Sequence, residues 1–440
     1  MKRVHLIAVG GAIMHNLAIA LKQKGYKVTG SDDAIYDPAK TNLEKAALET
    51  YIGWDATRIT ADIDFVILGM HARKDNIELL EAVRLGLKVM SFPEFVAAES
   101  KDKTRVVVAG SHGKTSTTAM IMHVLRKNGL EFDYLVGSSI DGFDLSVKIS
   151  DAPLIIIEGD EYLTSPLDLR SKFLWYDPHY SIITGIAYDH INVFPSFDLY
   201  IDTFRQYIAT HSAGAKYYWY KGDVELAKLS SETDVLNEAY DTPVFTNSRD
   251  GAVIDLDGNT YETLLVGKHN LQNMQAALLI CSHLGISPKG FLEAIADFTG
   301  AGRRMEKIVD LPNQVVFRDF AHSPSKLEAT TKAVAETYEG NVLAVFELHT
   351  FSSLTKDFLP LYRDSMSSAD RRIVFYNDAV FAHKKMEYLD AEYVKECFGD
   401  VEIINDVQVL ESIVNTSFVA GDNILLMSSG TFNKAEFTLS

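Results

Sequence analysis

The chain has 440 residues, enough for about three domains at ~150 residues each, every one large enough for its own core. With 47% hydrophobic and 23% charged residues, the composition excludes a disordered or fibrous protein. Forty-two Lys and Arg against 60 Asp and Glu leave a net charge of −18, which repels a phosphodiester backbone and argues against nucleic acid as partner. The two cysteines, Cys281 and Cys397, give neither a disulfide framework nor a thiolate zinc site, as expected of a reducing cytoplasm.

Lys2 and Arg3 before the apolar run Val4 to Ala20 imitate a secretory leader. His5, Gly10, Gly11, His15 and Asn16 interrupt that run, and no stretch reaches the ~20 apolar residues of a membrane span. The pattern reads as a strand (VHLIAV), a glycine turn and a helix to about Gly25. KVTGSD, a helix, DFVILGM and another helix follow, a βαβ series that predicts a parallel sheet with ligands at the carboxyl ends of its strands. Gly10-Gly11 after the first strand and Asp32 at the end of the next are placed as in a dinucleotide fold. Further fingerprint glycines are missing between Ala12 and His15, so a nucleotide diphosphate suits that crevice better than NAD. The polar ESKDKT at 99–104 marks a domain boundary near residue 102.

A second unit opens with the strand RVVVAG at 105–110, a glycine turn and a helix from about Thr115 to Asn128. In Gly110-Ser111-His112-Gly113-Lys114-Thr115, backbone N–H groups and the helix N-terminus can cradle phosphates, Lys114 can neutralise them, and the Thr115 hydroxyl can reach Mg²⁺. Val108 stands where the full pattern has glycine, and a glycine turn with a solvated lysine is the competing reading. Glu158 ends the strand PLIIIEGDE at 153–161 and offers the hard oxygen that Mg²⁺ prefers, with Asp160 and Glu161 in the next turn. SIITGIA at 181–187 ends in Tyr188-Asp189-His190, where a histidine can ligate metal, bond a phosphate oxygen, or be structural. Gly267-Lys268-His269-Asn270 and Asn273, at the start of a helix over 271–285, offer amides to a purine edge; an N-cap role explains Asn270 equally well. A short helix ends near Phe298, and TGAGRRME at 299–306 reads as a hinge. The third series is QVVFRDF, a helix, NVLAVFE, a helix, RRIVFY and finally NILLMSS.

In this order the motifs resemble the Mur ligase family, the ATP-dependent amide-forming enzymes of peptidoglycan synthesis, over essentially the whole chain. GSHGKTSTTA at 110–119 resembles the family's phosphate loop, with Val108 as a family variant; IIEGDE at 156–161 its EADE segment; and YDHINVF at 188–194 its DHxD segment. GKHNLQNMQAA at 267–277 resembles the adenine segment HNxxN, and GRRME at 302–306 and RDFAHSPSKL at 318–327 the interdomain and third-domain motifs. The resemblance implies an α/β architecture of three tandem domains: dinucleotide-like 1–102 for UDP-N-acetylmuramate, a central P-loop ATP-binding domain over 103–301, and dinucleotide-like 302–440 for the amine.

It also implies ATP and Mg²⁺ as cofactors. Gly110, Ser111, His112, Gly113, Lys114, Thr115 and Ser116 would face the phosphates, and Thr115, Glu158 and His190 the metal. His269, Asn270 and Asn273 would lie near adenine, and Arg303 and Asp319 would complete the nucleotide contacts. Lys114, Glu158, His190 and His322 would be catalytic, and Gly10, Gly11, Asp32, His71 and His349 would face the substrates. A cytoplasmic enzyme of small molecules, with neither nucleic acid nor membrane as partner, is expected. Oligomeric state is not legible.

Two amines stay open, the tripeptide L-alanyl-γ-D-glutamyl-meso-diaminopimelate and L-alanine. The segment 158–178 and GDNILLMSSGTF at 421–432 resemble tripeptide-adding members, while ELHTFSSLTKDF at 347–358 resembles a stretch of alanine-adding ones. Thr350 and Ser353 stand where the latter carry arginines, and without a guanidinium clamp free alanine should be held poorly. Ser323 replaces a second histidine, and no lysine soon after His190 matches the carbamylated one of some members, which leaves the metal arrangement around Arg205 and Gln206 unassigned. Trp175 is the one aromatic read as a candidate contact. Outside the family, a P-loop ATPase without ligase activity or a nucleotide-binding scaffold would share the same phosphate loop.

Overall fold

A computed structural model of the chain describes residues 1–439. Its packing divides into two compact units, one of Met1–Ile186 with Asp198–Tyr240, the other of Ala187–Phe197 with the chain from Asp241 onward.

The first unit holds two sheets. The series β1 (Arg3–Ile7), α1 (Ala12–Gln23), β2 (Lys27–Asp32), α2 (Ala39–Lys45), β3 (Glu49–Ile52), β4 (Phe65–Leu68), α3 (Ile77–Arg84), β5 (Lys88–Ser91) and α4 (Phe92–Glu99) forms an all-parallel sheet. Its order is β3-β2-β1-β4-β5, so the strand order reverses at β1 and the crevice between β1 and β4 opens at Gly10 and Gly11. The edge strand β3 was not anticipated.

The second sheet begins with β6 (Thr104–Ala109), α5 (Lys114–Lys127), β7 (Asp133–Leu135), β8 (Val147–Lys148), β9 (Leu154–Glu158) and β10 (Tyr180–Ile183). It continues through α6 (Phe197–Ala209), β11 (Lys216–Tyr220), α7 (Val224–Ser231) and β12 (Leu236–Tyr240), in the order β12-β11-β10-β6-β9-β7-β8, with only β8 antiparallel. Val106 to Val108 and Ile155 to Ile157 are fully buried, as expected of unbroken β-branched runs covered on both faces. Val108 pairs with Glu158, so β9 delivers its terminal carboxylate beside the loop that leaves β6.

In the second unit, β13 (Phe245–Ser248), β14 (Gly251–Leu256) and β15 (Asn259–Thr263) make an antiparallel meander. Asp257 and Gly258, both at positive φ, form its second turn, a two-residue hairpin signal not used in reading the sequence. α8 (Lys268–His283) and α9 (Pro288–Ile295) follow. The last sheet is built from β16 (Glu306–Leu311), β17 (Gln314–Asp319), α10 (Pro324–Thr337), β18 (Val342–Glu347), β19 (Arg371–Phe375), α11 (Ala379–Lys384), α12 (Ala391–Phe398), β20 (Glu402–Ile404), α13 (Val407–Ala420) and β21 (Asn423–Met427). Its order is β16-β17-β21-β18-β19-β20, parallel apart from β16. The helix expected between NVLAVFE and RRIVFY is replaced by two 3-10 turns, Ser352–Leu354 and Leu359–Tyr362, because Pro360 and the Thr/Ser-rich approach interrupt helix propagation.

Candidate active site

The loop between β6 and α5 takes its shape from two glycines. Gly110 has φ +124° and Gly113, the N-cap of α5, has φ +75°, conformations that a side chain disfavours. A Cβ on Gly110 would collide with the Thr184 hydroxyl, which itself bonds the carbonyls of Ala109 and His112. The Ser111 amide donates to the Gly185 carbonyl at 2.9 Å, and the His112 ring lies where a Cβ on Gly185 would be. Ser116 is buried in the first turn of α5.

Lys114 follows the loop with its Nζ donating to the Gly110 carbonyl at 2.6 Å and to Glu161 Oε2 at 2.7 Å. Burial opposes its charge, but the carboxylates of Glu161, Asp160 and Glu158 more than offset that and hold its pKa above the ordinary lysine value. Thr115 donates from Oγ1 to Glu158 Oε1 at 2.9 Å, and the Gly137 amide donates to Glu158 Oε2 at 2.9 Å. A cation, a helix N-terminus, a hydroxyl and a carboxylate thus converge where a Mg²⁺-bound polyphosphate needs them, and the hard-oxygen pair of Thr115 and Glu158 fits Mg²⁺.

Sequence reading placed Glu161 in the turn after β9 without its pairing to Lys114, and missed Tyr200. Glu161, buried, receives both Lys114 and the Tyr200 hydroxyl, the latter on Oε1 at 3.0 Å. Tyr200 on α6, itself fully buried, also bonds Ser111 Oγ at 2.7 Å. Asp160 accepts from Lys172 Nζ on Oδ2 at 2.6 Å. The segment after β9 packs tightly: Phe173 is fully buried and stacks on Tyr207 at 4.4 Å between ring centroids. Trp175 donates to Asp168 and lies under the Arg170 guanidinium. Arg205 and Gln206 both bond Asp202 on the exposed side of α6.

In the crevice of the first sheet, Asp32 Oδ2 accepts the Gly10 amide at 2.7 Å, and a Cβ on Gly10 would lie 2.9 Å from that oxygen. Burial pushes the Asp32 carboxyl up to about 6. Asp32 therefore fastens the glycine turn, and Gly11 caps α1. His71 is exposed in the turn after β4.

In the second unit, His190 has φ +53° and its amide donates to Asp189 Oδ1 at 2.7 Å. Asp189 is buried, with Lys326 Nζ 3.9 Å and His322 Nε2 4.0 Å from Oδ2 and the Ser352 hydroxyl donating to Oδ1 at 3.3 Å. Burial alone would raise its pKa; Lys326 and the neighbouring histidines bring it down to about 2. Burial and the Lys326 charge push His322 down to about 3, so it is neutral at pH 7, and Lys326 supplies the field on Asp189. His322 Nδ1 donates to the Phe320 carbonyl at 2.8 Å, which leaves Nε2 as an acceptor.

Asp319 is buried at the end of β17 and accepts the Met305 amide at 3.1 Å. It thereby ties down the hinge, in which Arg303 and Met305 have positive φ; burial pushes its carboxyl up to about 6. The N-cap of α8 is Gly267, not Asn270: Asn270 lies within the first turn and its amide donates back to the Val266 carbonyl at 2.9 Å. The helix starts at Lys268 rather than 271 because these side-chain and glycine devices close its first turn. His269, pushed down to about 4 by burial, and buried Asn273 lie on the same helix. His349 lies 4.0 Å from Glu347, a buried carboxylate gripped by the Ser428 hydroxyl and by the Phe432 amide at 2.8 Å. Ser353 is fully buried and accepts the His349 amide at 3.2 Å, leaving no room for a guanidinium at that position.

The comparisons with known proteins agree along the chain. The family's model for the Mur ligase catalytic domain matches residues 3–104, that for the middle domain 108–281, and that for the glutamate ligase domain 303–430. A UDP-N-acetylmuramate–L-alanine ligase of Caldicellulosiruptor bescii is 30% identical over 99% of this chain and 97% of its own. The chain belongs to the Mur ligase family. As a Mur ligase it is an ATP-dependent enzyme that joins an acid to an amine. This Mur ligase is also 28% identical, over 98% of its length and 97% of the relative's, to the UDP-N-acetylmuramate–L-alanyl-γ-D-glutamyl-meso-2,6-diaminoheptandioate ligase of Haemophilus influenzae. The crystal structure of the UDP-N-acetylmuramate-alanine ligase of Thermotoga maritima shares its three-domain α/β fold, with a TM-score of 0.73, 20% identity, and coverage of 99% of this chain and 97% of that one. Among the described residues of the Mur ligase, no helix is long and apolar enough to cross a membrane.

Proposed function

We propose that this Mur ligase couples UDP-N-acetylmuramate to L-alanyl-γ-D-glutamyl-meso-diaminopimelate in the cytoplasm, a reaction of peptidoglycan recycling. The single observation that carries the chemistry is the convergence of Lys114, Thr115 and Glu158 on one glycine loop. In this reading residues 1–102 take the UDP-sugar at Gly10, Gly11 and His71, residues 103–301 take ATP, and residues 302–440 take the amine beside His349. The muramate carboxylate attacks the γ-phosphorus and displaces ADP; the amine nitrogen then attacks the acyl carbon, loses a proton, and displaces inorganic phosphate. Lys114 and the N-terminus of α5 stabilise the charge spreading over the transferring phosphoryl group. Thr115, Glu158 and His190 would hold Mg²⁺, which supplies charge neutralisation at the phosphates. His269, Asn270, Asn273, Arg303 and Asp319 are assigned to the nucleotide, Asp319 through the hinge it fastens. His322, neutral and accepting at Nε2, would orient Lys326 rather than donate a proton.

For the amine, the buried Ser353 speaks against a guanidinium clamp for free alanine, and the sequence of segment 158–178 resembles tripeptide-adding members. L-Alanine is the second reading, favoured by the 30% identical relative. Phosphate release with Mg·ATP and UDP-N-acetylmuramate, with either amine and product mass as readout, separates them. A UDP-muramoyl-tripeptide mass with tripeptide alone is expected. Turnover with alanine alone overturns the assignment.

A further inference from the structure

The Lys114 ammonium is occupied. Its contacts to the Gly110 carbonyl and to Glu161 Oε2 use two of its three hydrogens, and the Glu161 bond is an ion pair with both side chains almost fully buried. A phosphate can recruit this ammonium only if the Glu161 carboxylate keeps a hydrogen-bond donor when Lys114 turns toward the ligand. Without one, nucleotide binding would strand a buried charge.

Tyr200 supplies one such donor. It has a single hydroxyl hydrogen, directed to Glu161 Oε1 at 3.0 Å; its oxygen is then the acceptor for Ser111 Oγ–H at 2.7 Å. The hydroxyl therefore joins the second residue of the phosphate loop to the carboxylate that restrains the loop's lysine. Its ring is locked: Tyr200 is fully buried and meets Phe204 edge-on at 5.4 Å, so the oxygen cannot drift from either partner.

We propose that Tyr200 is a positioning residue for nucleotide binding, its hydroxyl keeping Glu161 and Ser111 in place while Lys114 is handed from Glu161 to the ATP phosphates. This rests on the reading that the glycine loop binds ATP; it does not depend on which acid or amine is joined. Loss of the hydroxyl removes one donor that shares the Glu161 carboxylate with Lys114 and tightens the grip on the cation that the phosphate must capture.

The test is calorimetric titration of the full chain with the magnesium complex of a non-hydrolysable ATP analogue, for the wild type, Tyr200→Phe, Glu161→Gln and the double variant, with thermal melting alongside. Tyr200→Phe keeps the ring and should weaken binding about tenfold, the scale of one buried charge-assisted hydrogen bond. It should raise the KM for ATP while leaving kcat at saturating ATP within about twofold, because the lysine still reaches the phosphates once they are bound. Adding Glu161→Gln should return affinity to within about threefold of wild type, since an uncharged amide no longer competes for Lys114. A merely structural tyrosine would lower melting temperature and kcat together and would not be rescued. Wild-type affinity in Tyr200→Phe, or a double variant as weak as Tyr200→Phe, overturns the proposal. Should Tyr200→Phe not fold, Glu161→Gln alone decides: affinity equal to or tighter than wild type supports the handover, and weaker affinity contradicts it. Nucleotide binding that follows this pattern without amide formation would sink the ligase reading and leave the role of Tyr200 standing.

Discussion

Thr115 and Glu158, 43 residues apart, meet at 2.9 Å because the parallel pairing of β6 and β9 brings a helix start and a strand end to the same edge of the sheet. The second oxygen of Glu158 is held by the Gly137 amide, so the carboxylate is fixed before any ligand arrives. Glu158→Gln keeps the shape and removes the charge. It should lower turnover by roughly a hundredfold or more, the scale of losing one electrostatic partner of a transferring phosphoryl group. Steady-state phosphate release across a magnesium titration checks this, and unchanged turnover at saturating magnesium would contradict it.

Lys114 carries a different prediction, because its packing role is small beside its charge. Lys114→Ala should abolish ATP-dependent coupling while the circular dichroism spectrum stays native. Buried Glu161 and neighbouring Asp160 lose their cation, so the melting temperature should fall, on the scale of about 3–5 kcal/mol for a broken buried ion pair. Retained coupling in this variant would remove the phosphate-loop assignment.

Much of this site was legible because it is local. A β-branched strand, two glycines, GKT and a helix lie contiguous in sequence, and a second apolar strand ends in glutamate. Tyr200 was not legible: it lies on an amphipathic helix among Phe197, Phe204 and Tyr207, where every aromatic reads as core, and only the fold brings its hydroxyl to Ser111. Lys326 was hidden for the same reason, as its partner Asp189 is 137 residues away. Strands β12 to β15 were missed because their burial is one-sided or slight, so they lack the apolar runs that announced β6 and β9; β11 was missed although Tyr217 and Tyr218 are both buried, because its run is aromatic rather than aliphatic. Asn270 was ambiguous between ligand and cap, and the structure gives its amide to the backbone of its own first turn.

The buried ion pair of Lys103 and Asp133 fastens the segment entering β6 to β7. Lys103 Nζ reaches Asp133 Oδ2 at 2.6 Å and the carbonyls of Ser150 and Ala152 at 2.7 and 2.8 Å. Asp133→Ala leaves this ammonium without its counter-charge and should cost about 3–5 kcal/mol. Replacing both, as Lys103→Met with Asp133→Leu, should cost much less. Urea unfolding measures both, and equal losses would show that the charge pairing is not what matters.

His211 predicts an acid limit to stability. Its Nδ1 donates to the Ile208 carbonyl at 3.0 Å and its Nε2 accepts from Ser181 Oγ at 2.7 Å, and burial pushes its pKa down to about 4. The folded state thus binds fewer protons than the unfolded chain between about pH 6.5 and 4, so stability is full above that window, falls as pH drops through it, and levels off below. At about 1.4 kcal/mol per unit, the depression corresponds to at most about 3.5 kcal/mol. His211→Asn should be less stable at pH 7 yet show a flatter decline from pH 7 to 4 in urea titrations. His322 and His269, also depressed, keep some slope in the variant. An unchanged slope would mean that His211 is not the titrating group.

The most direct test of the central chemistry follows one oxygen. UDP-N-acetylmuramate labelled with ¹⁸O in its carboxylate is incubated with the enzyme, Mg·ATP and the tripeptide, and the released phosphate is analysed by mass. Attack of the carboxylate on the γ-phosphorus, followed by displacement by the amine, predicts one labelled oxygen in each phosphate formed with amide. Phosphate carrying no label, released while ATP is consumed, would mean that water attacks the γ-phosphate and that the glycine loop serves an ATPase rather than a ligase.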